Sequence, residues 1–357
     1  MSEKVLSIVP RGYLPALTGG LEICAMETIE FFIEQGYQGA VAAKCPPTFW
    51  ATVKSRIARR FKGPFSLTHK VKNHQVYTDF WHPNALSVLI NKLNPAFLVC
   101  HVSMCDDLLQ KLIDINYPTL FYIHSREISP LFGTLPHNHR FVFACESSFI
   151  KAQFQQVSNA PIDVIRPILP PEKFQISTSG DAILVINPHP KKGGRLIAEI
   201  ARLIPHRSFL IVGGWANTQQ DQEVIGVEQA LEKLPNVQRE AHVDDMRTVF
   251  SRAHCLLMPC VVAEAYGRTA AEALIAGIPV VASDQGALPE TVGDGGIIVG
   301  IDAPVARWIE QLENLFNDSD FYRTLSQRAI ATSQQDVRQA TYIQQQLLDH
   351  AKYLSGK

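Results

Sequence analysis

Glu264 and Glu272 stand eight positions apart, on either side of Gly267, where an apolar-periodic helix opens; Gly277 and Pro279 close that helix. A carboxylate accepts hydrogen bonds in pairs and suits a vicinal diol, such as that of a ribose or a hexose. The N-terminus of a helix attracts anions, because its first N–H groups have no partner within the helix. Acids on both sides of an anion site describe a ligand that carries phosphate and hydroxyl groups together. A second pair, Asp318 and Asp320, lies between two helical stretches rather than after a strand, and reads as a turn and helix cap.

These residues need strands to hold them. Cys255 to Pro259 leads into the acidic segment and Val280 to Ala282 follows it. Upstream, Ala182 to Ile186 runs into Asn187-Pro-His-Pro-Lys-Lys-Gly-Gly194 and a helix from Arg195. Ser208 to Val212 ends in Gly213-Gly214-Trp215, and Val237 to Val243 precedes Asp244 and Asp245. The first half alternates in the same way. Val5 to Val9 is an apolar run of the buried parallel-strand type, followed by a loop ending in Gly19-Gly20 and a helix over Leu21 to Gln35. Further strands are expected at Tyr37 to Ala43, Phe97 to Cys100, Thr119 to Ile123 and Phe141 to Cys145, with Ser147 or Ser148 capping the next helix. His101 and His124 follow two of these strands, where open α/β sheets bind ligands. His101 reads as a core or surface histidine. A G-x-G-x-x-G fingerprint is absent, which argues against a dinucleotide-dependent dehydrogenase.

Composition sets the outer bounds. The 357 residues suffice for two domains, and 46% hydrophobic with 19% charged residues describes a globular protein with ample core. A net charge of −1 gives no reason to expect a nucleic-acid partner. No apolar run approaches the roughly 18 residues that span a bilayer, and the early Pro10 and Arg11 do not suit a signal peptide. Seven cysteines without a C-x2-C read as reduced buried thiols in a cytoplasmic protein. The charge is uneven in one place: Lys44 to Lys72 holds eight basic residues and no acid. Within it, residues 49–62 pattern as a basic amphipathic helix that suits either the domain's own sheet or an anionic membrane surface.

The spacing Glu264-x7-Glu272, followed by Ala276-Gly-Ile-Pro-Val-Val-Ala-Ser283 and Gly286-Ala-Leu-Pro-Glu290, resembles the donor-binding half of the family 4 retaining glycosyltransferases of the GT-B fold, the glycosyl transferases group 1. The resemblance implies two Rossmann-like doubly wound α/β domains facing across a cleft. It implies transfer of a hexose, glucose first, from a nucleotide diphosphate sugar, UDP first, to a hydroxyl of a glycan or lipid-linked acceptor in polysaccharide biosynthesis. No cofactor and no metal are expected. It places Glu272 on the ribose, Glu264 on the donor sugar, and Ala265, Tyr266, Gly267, Arg268 and Thr269 along the sugar and phosphates. Lys192 takes the diphosphate, with Gly19, Gly20 and Gly214 as glycine turns toward the donor. The backbone at His242 and Val243 faces the base, and His124 the donor sugar; Glu264, His124 and Lys192 are the catalytic candidates. One departure stands out. Asn187 occupies the position of an arginine that shares the diphosphate charge in the family, and an amide cannot supply that charge. Lys191 or Arg195 then compensates, or one cation works with helix N-termini.

The prolines of Pro161 to Phe174 mark the interdomain linker. The expected domains are 1–166, joined by a returning helix over about 338–357, and 167–337. A nucleotide-sugar-binding protein with little turnover, a sensor or assembly partner, is the alternative that Asn187 keeps open. Contact with the inner face of a membrane through 49–62 is a further expectation.

Overall fold

The computed structural model describes residues 2–45, 57, 60, 63–65, 67–79, 85–103, 106–135, 139–176, 180–213, 221–241, 243, 245–335 and 338–357. They form two units, one of Met1–Ile168 with Thr341–Lys357 and one of Leu169–Ala340.

In unit 1, strands β1 (Lys4–Val9), β2 (Gln38–Lys44), β3 (Leu67–Val71), β4 (His74–Asp79), β5 (Phe97–Val102), β6 (Thr119–Ile123), β7 (Phe141–Cys145) and β8 (Ile162–Val164) make one sheet. Its order is β3-β4-β2-β1-β5-β6-β7-β8, and every pair is parallel except β3 with β4. Parallel strands covered on both faces need apolar side chains throughout, and Val5, Leu6, Ile8, Val9, Phe97, Leu98, Val99, Leu120, Phe121 and Ile123 are fully inaccessible. The helices of this unit begin with α1 (Gly20–Glu34), α2 (Ala85–Leu93), α3 (Asp106–Ile115) and α4 (Ser148–Gln155). Ser147 caps α4, accepting the Ile150 N–H at 3.2 Å.

Unit 2 repeats the plan with β9 (Ala182–Ile186), β10 (Phe209–Val212), β11 (Val237–Glu240), β12 (Ala253–Met258), β13 (Val280–Ser283) and β14 (Gly296–Val299), ordered β11-β10-β9-β12-β13-β14 and wholly parallel. Its helices are α5 (Gly194–Leu203), α6 (Gln222–Glu232), α7 (Arg247–Phe250), α8 (Arg268–Ile275), α9 (Leu288–Val292), α10 (Val305–Asn317) and α11 (Ser319–Ser333). Asp318 caps α11 by accepting the N–H groups of Asp320 and Phe321, so the D-x-D is a helix start. The last helix, α12 (Ala340–Ser355), lies from Thr341 onward in unit 1. Ile343, Leu347, Ala351 and Leu354 form its buried face, and His350 meets Asp163 at 3.2 Å.

The structure adds to and corrects the sequence reading in three places. The basic stretch Lys44 to Lys72 ends in an edge strand, β3, paired with β4, where polar edge residues hide the alternation. The proline-rich segment contains β8, which extends the sheet beside β7 despite the flanking prolines. β11 stops at Glu240, short of Val243. The expected helix over 49–62 lies outside the described residues except Ile57 and Arg60, both exposed.

The β3–β4 hairpin holds the loop that precedes Gly19. The Tyr13 hydroxyl lies 3.1 Å from His74 Nε2, His74 Nδ1 lies 2.6 Å from Glu30, and His69 Nε2 lies 3.0 Å from the Leu14 carbonyl. His74 is fully inaccessible, and burial holds its imidazole below the ordinary 6.5, outweighing the pull of Glu30. Burial depresses His101, His254 and His350 likewise. Between the folded and unfolded values the unfolded chain binds more protons, so stability rises with pH there. The melting temperature is therefore expected to be level above pH about 6.5 and to fall as the solution is acidified below it. Thermal denaturation of wild type and His74→Gln across that range checks this: the variant melts lower at neutral pH but loses less on acidification.

Candidate active site

In an open α/β sheet the loops diverge where neighbouring strands send their connections opposite ways, and ligands bind there. In unit 2 that point lies between β9 and β12. The loop after β9 carries Asn187 to Gly193, and the loop after β12 carries Pro259 to Gly267. The two are interlocked. Val261 N–H donates to the Lys191 carbonyl at 3.1 Å, and a Cβ on Gly193 would sit 2.0 Å from the Pro259 carbonyl oxygen. Gly193 also has φ +82, so glycine is required there twice over.

That contact brings Lys192 and Glu264 together. The Lys192 ammonium donates to the Glu264 carboxylate across 72 residues of sequence, with both side chains mostly buried. Lys192 ends a single 3-10 turn, Pro190–Lys192, capped by His189, whose Nδ1 accepts the Lys191 N–H at 3.1 Å. Helix α5 starts directly after it, with Gly193 as N-cap and no side-chain cap. The cation and the helix N-terminus thus offer positive potential at one place.

Glu264 is fixed through its backbone as well. It forms an isolated parallel bridge with Gly286, and Ala287 N–H donates to its carbonyl at 2.9 Å. Gly286 has φ +66, and a Cβ there would lie 2.3 Å from the Glu264 carbonyl oxygen. Gly286→Ala is expected to lose about 1–3 kcal/mol and to displace Glu264, so denaturant unfolding and donor titration of one variant should both show a loss. Beside Glu264, burial and then the carboxylate itself push the Cys260 thiol up to about 12, which leaves it neutral and unsuited to attack.

Gly267, at φ +88, caps α8, again without a side-chain cap. Tyr266 is buried in the core below and Ala265 and Thr269 are partly exposed. Glu272, one turn into the helix and 7% exposed, accepts from Arg268 Nε at 2.7 Å. Asn187 has φ +56, a conformation asparagine tolerates better than most residues. It is 9% exposed and its Oδ1 is buried without a partner. Arg195, one of the candidates to compensate, is exposed and pairs with Glu223 of α6 at 3.1 Å. Lys191 is exposed too. Val243 packs partly against the core, while Gly214 and His242 lie outside the described residues.

In unit 1, His124 is not isolated. Its Nδ1 lies 2.7 Å from Glu146, just past β7, and its Nε2 lies 2.9 Å from Nδ1 of His101 on β5. Read from the sequence as unremarkable, His101 is fully buried; burial, then repulsion from His124, holds its imidazole well below the usual range. The only signal that Glu146 carries in the sequence is its position after the strand end of β7. Gly19 is the extended N-cap of α1 and Gly20 its first residue. Arg11 pairs at 3.0 Å with Glu22, a fully buried acid of α1. Arg126 and Glu127 form an exposed pair at 3.6 Å.

Residues 183–318, which contain Asn187, Lys192, Glu264 and Glu272, match the family model described as Glycosyl transferases group 1. Over that segment the chain is similar to the group 1 glycosyltransferases. Over 207 residues it is 25% identical to O-antigen chain mannosyltransferase B of Escherichia coli, an alignment that covers 54% of this chain and 49% of that protein. The chain thus spans about half the length of the curated relative it matches. Among solved structures, sucrose-phosphate synthase from Thermosynechococcus elongatus superposes with a TM-score of 0.77 at 16% identity over 97% of this chain and 98% of that one. The Anabaena protein HepE, solved in complex with UDP-glucose, gives 0.73 at 16% identity over 97% and 98%. The fold is therefore GT-B, with two parallel-sheet domains, as the motif implies. Among the described residues, no helix is long and apolar enough to cross a membrane.

Proposed function

We propose that this protein is a glycosyltransferase that moves a hexosyl group, with retention at the anomeric carbon, from a nucleotide diphosphate sugar to a hydroxyl of a glycan or lipid-linked acceptor in polysaccharide biosynthesis. The observation that carries the reading is the Lys192–Glu264 pair, set at the switch point of a parallel sheet and beside the N-terminus of α5. UDP-glucose is the first donor to try, since HepE was solved with it; a mannosyl donor is the second, given the Escherichia coli relative.

The chemistry asked of the site is leaving-group stabilisation. As the bond from the anomeric carbon to phosphate breaks, negative charge grows on the diphosphate, and fixed dipoles with Lys192 stabilise it. An ammonium has three donors, so Lys192 can keep Glu264 while taking a phosphate oxygen. Glu264 then accepts from a hydroxyl of the donor sugar. Glu272 accepts from the ribose, and Arg268, which it holds at 2.7 Å, is a second cation beside Lys192 in this reading of the site. Gly19, Gly20 and His124 of unit 1 take part as the resemblance implies. Adjacent carboxyls across one bond, as a glycosidase needs, are not what the spacing offers. The basic segment 49–62 suits an anionic lipid surface at the cytoplasmic face, consistent with a lipid-linked acceptor.

Two groups of positive potential make a divalent ion unnecessary for the diphosphate. Nucleotide release from the preferred sugar nucleotide is therefore expected to continue in EDTA. The same reaction followed by NMR should give a product, or slow hydrolysis product, with the donor's anomeric configuration. Release only with added Mg²⁺, or inversion, would overturn those parts of the reading. The second reading, a sugar-nucleotide binder with little turnover, is favoured by Asn187 alone; binding with no release for any acceptor offered would select it.

A further inference from the structure

We propose that Glu146 and His101 are positioning residues that lock His124 in one tautomer and one ring orientation. The proposal rests on the reading that His124 takes part in the transfer.

The lock follows from donor and acceptor arithmetic. An ionised carboxylate only accepts, so Glu146 at 2.7 Å requires the proton on His124 Nδ1. His124 Nε2 then accepts from His101, whose Nδ1 at 2.9 Å must carry the proton. His101 is fully buried and neutral, so this leaves its Nε2 as a bare lone pair, and that atom is indeed buried without a partner. The opposite arrangement, with Nε2 of His124 donating, would put a proton on that orphaned nitrogen. A buried unpaired N–H is rarer than a buried unpaired acceptor, which favours the first arrangement. The rings reinforce it: His101 stacks on His124 at 5.0 Å and 22°, and the Tyr122 ring lies 4.5 Å from that of His124. The residues come from the carboxyl ends of three adjacent strands, with His101 opposite Tyr122 and Ile123 opposite Cys145 in register. His124 is then a fixed, polarised imidazole and not a general base.

A metal site is the competing use of this cluster, because donor atoms of Cys24, His101 and His124 all lie within 4.8 Å of one another. Two imidazole nitrogens on one zinc at about 2.0–2.1 Å each in tetrahedral geometry stand about 3.3 Å apart. Here they are 2.9 Å apart, a hydrogen bond rather than a shared ligand. A metal on His101 Nδ1 would also drive its proton to the orphaned Nε2.

The test is long-range ¹H–¹⁵N NMR of the full chain, with ring signals assigned through His124→Gln and His101→Gln. Wild type should show both histidines as neutral Nδ1–H tautomers at neutral pH. Glu146→Gln, whose amide oxygen still accepts, should keep that pattern, and Glu146→Leu should shift His124 toward mixed tautomers. In turnover, Glu146→Gln should keep most of kcat, while Glu146→Leu lowers kcat at least tenfold with little change in KM. An Nε2–H tautomer of His124 in wild type, or a pattern unmoved by Glu146→Leu, overturns the lock. So does stoichiometric binding of Zn²⁺ that replaces the tautomer signals. The spectra need no activity, so a correct pattern with full transfer by His124→Ala would instead refute the role of His124 while leaving its tautomer assignment intact.

Discussion

Lys192→Ala is expected to cut transfer by about 10²–10³-fold, the usual cost of removing one preorganised charge from a site where an oxyanion develops. The loss should fall on kcat, because the diphosphate gains charge as the sugar leaves. Affinity for the free nucleoside diphosphate should fall as well, since the same ammonium meets a ground-state phosphate. The backbone around Lys192 is held by the His189 cap and by the Val261 to Lys191 hydrogen bond, neither of which uses the lysine side chain. The fold should therefore survive the truncation. Loss of the ion pair leaves the mostly buried Glu264 without that partner, so some loss of stability should accompany the loss of transfer. Steady-state kinetics with calorimetric titration of the nucleotide measures both effects.

Glu264→Gln should behave differently, and the contrast is the diagnostic feature. The amide still fills the space but no longer neutralises Lys192, so the nucleoside diphosphate without its sugar should bind at least as tightly as to wild type. Transfer should drop by about 10–150-fold, the value of a charged hydrogen bond to a sugar hydroxyl. Tighter nucleotide and poorer turnover in one variant cannot come from simple damage to the site. Equal losses of nucleotide affinity in both variants would mean that Lys192 and Glu264 act only as a structural pair.

The acidic helix and its flanking strands were legible because each rests on local signals. Gly267 and Gly277 bound the helix in sequence as they do in space, and buried parallel strands show themselves as unbroken apolar runs. The pairing of Lys192 with Glu264 was not legible. It depends on strand order, which places β9 beside β12 although β10 and β11 intervene in the chain. The same holds for His101, Glu146 and His124: three residues from three strand ends acquire a relation only through sheet register. A buried histidine with one polar neighbour looks like core packing in sequence. Arg195, one of the alternatives for the missing charge, was not legible as a partner of Glu223, which its helical position turns it toward on the next helix. The departure at Asn187 takes on a physical meaning only in the structure, where a left-handed backbone and an unpartnered buried Oδ1 replace a cation.

The donor assignment is tested most directly by calorimetric titration of UDP, GDP, ADP and their hexose conjugates into wild-type and Lys192→Ala protein. One sugar nucleotide should bind wild type with one-to-one stoichiometry, more tightly than its competitors, and should bind the variant at least tenfold more weakly. Absence of binding by every nucleotide, or equal affinity for both proteins, would contradict a diphosphate held at Lys192.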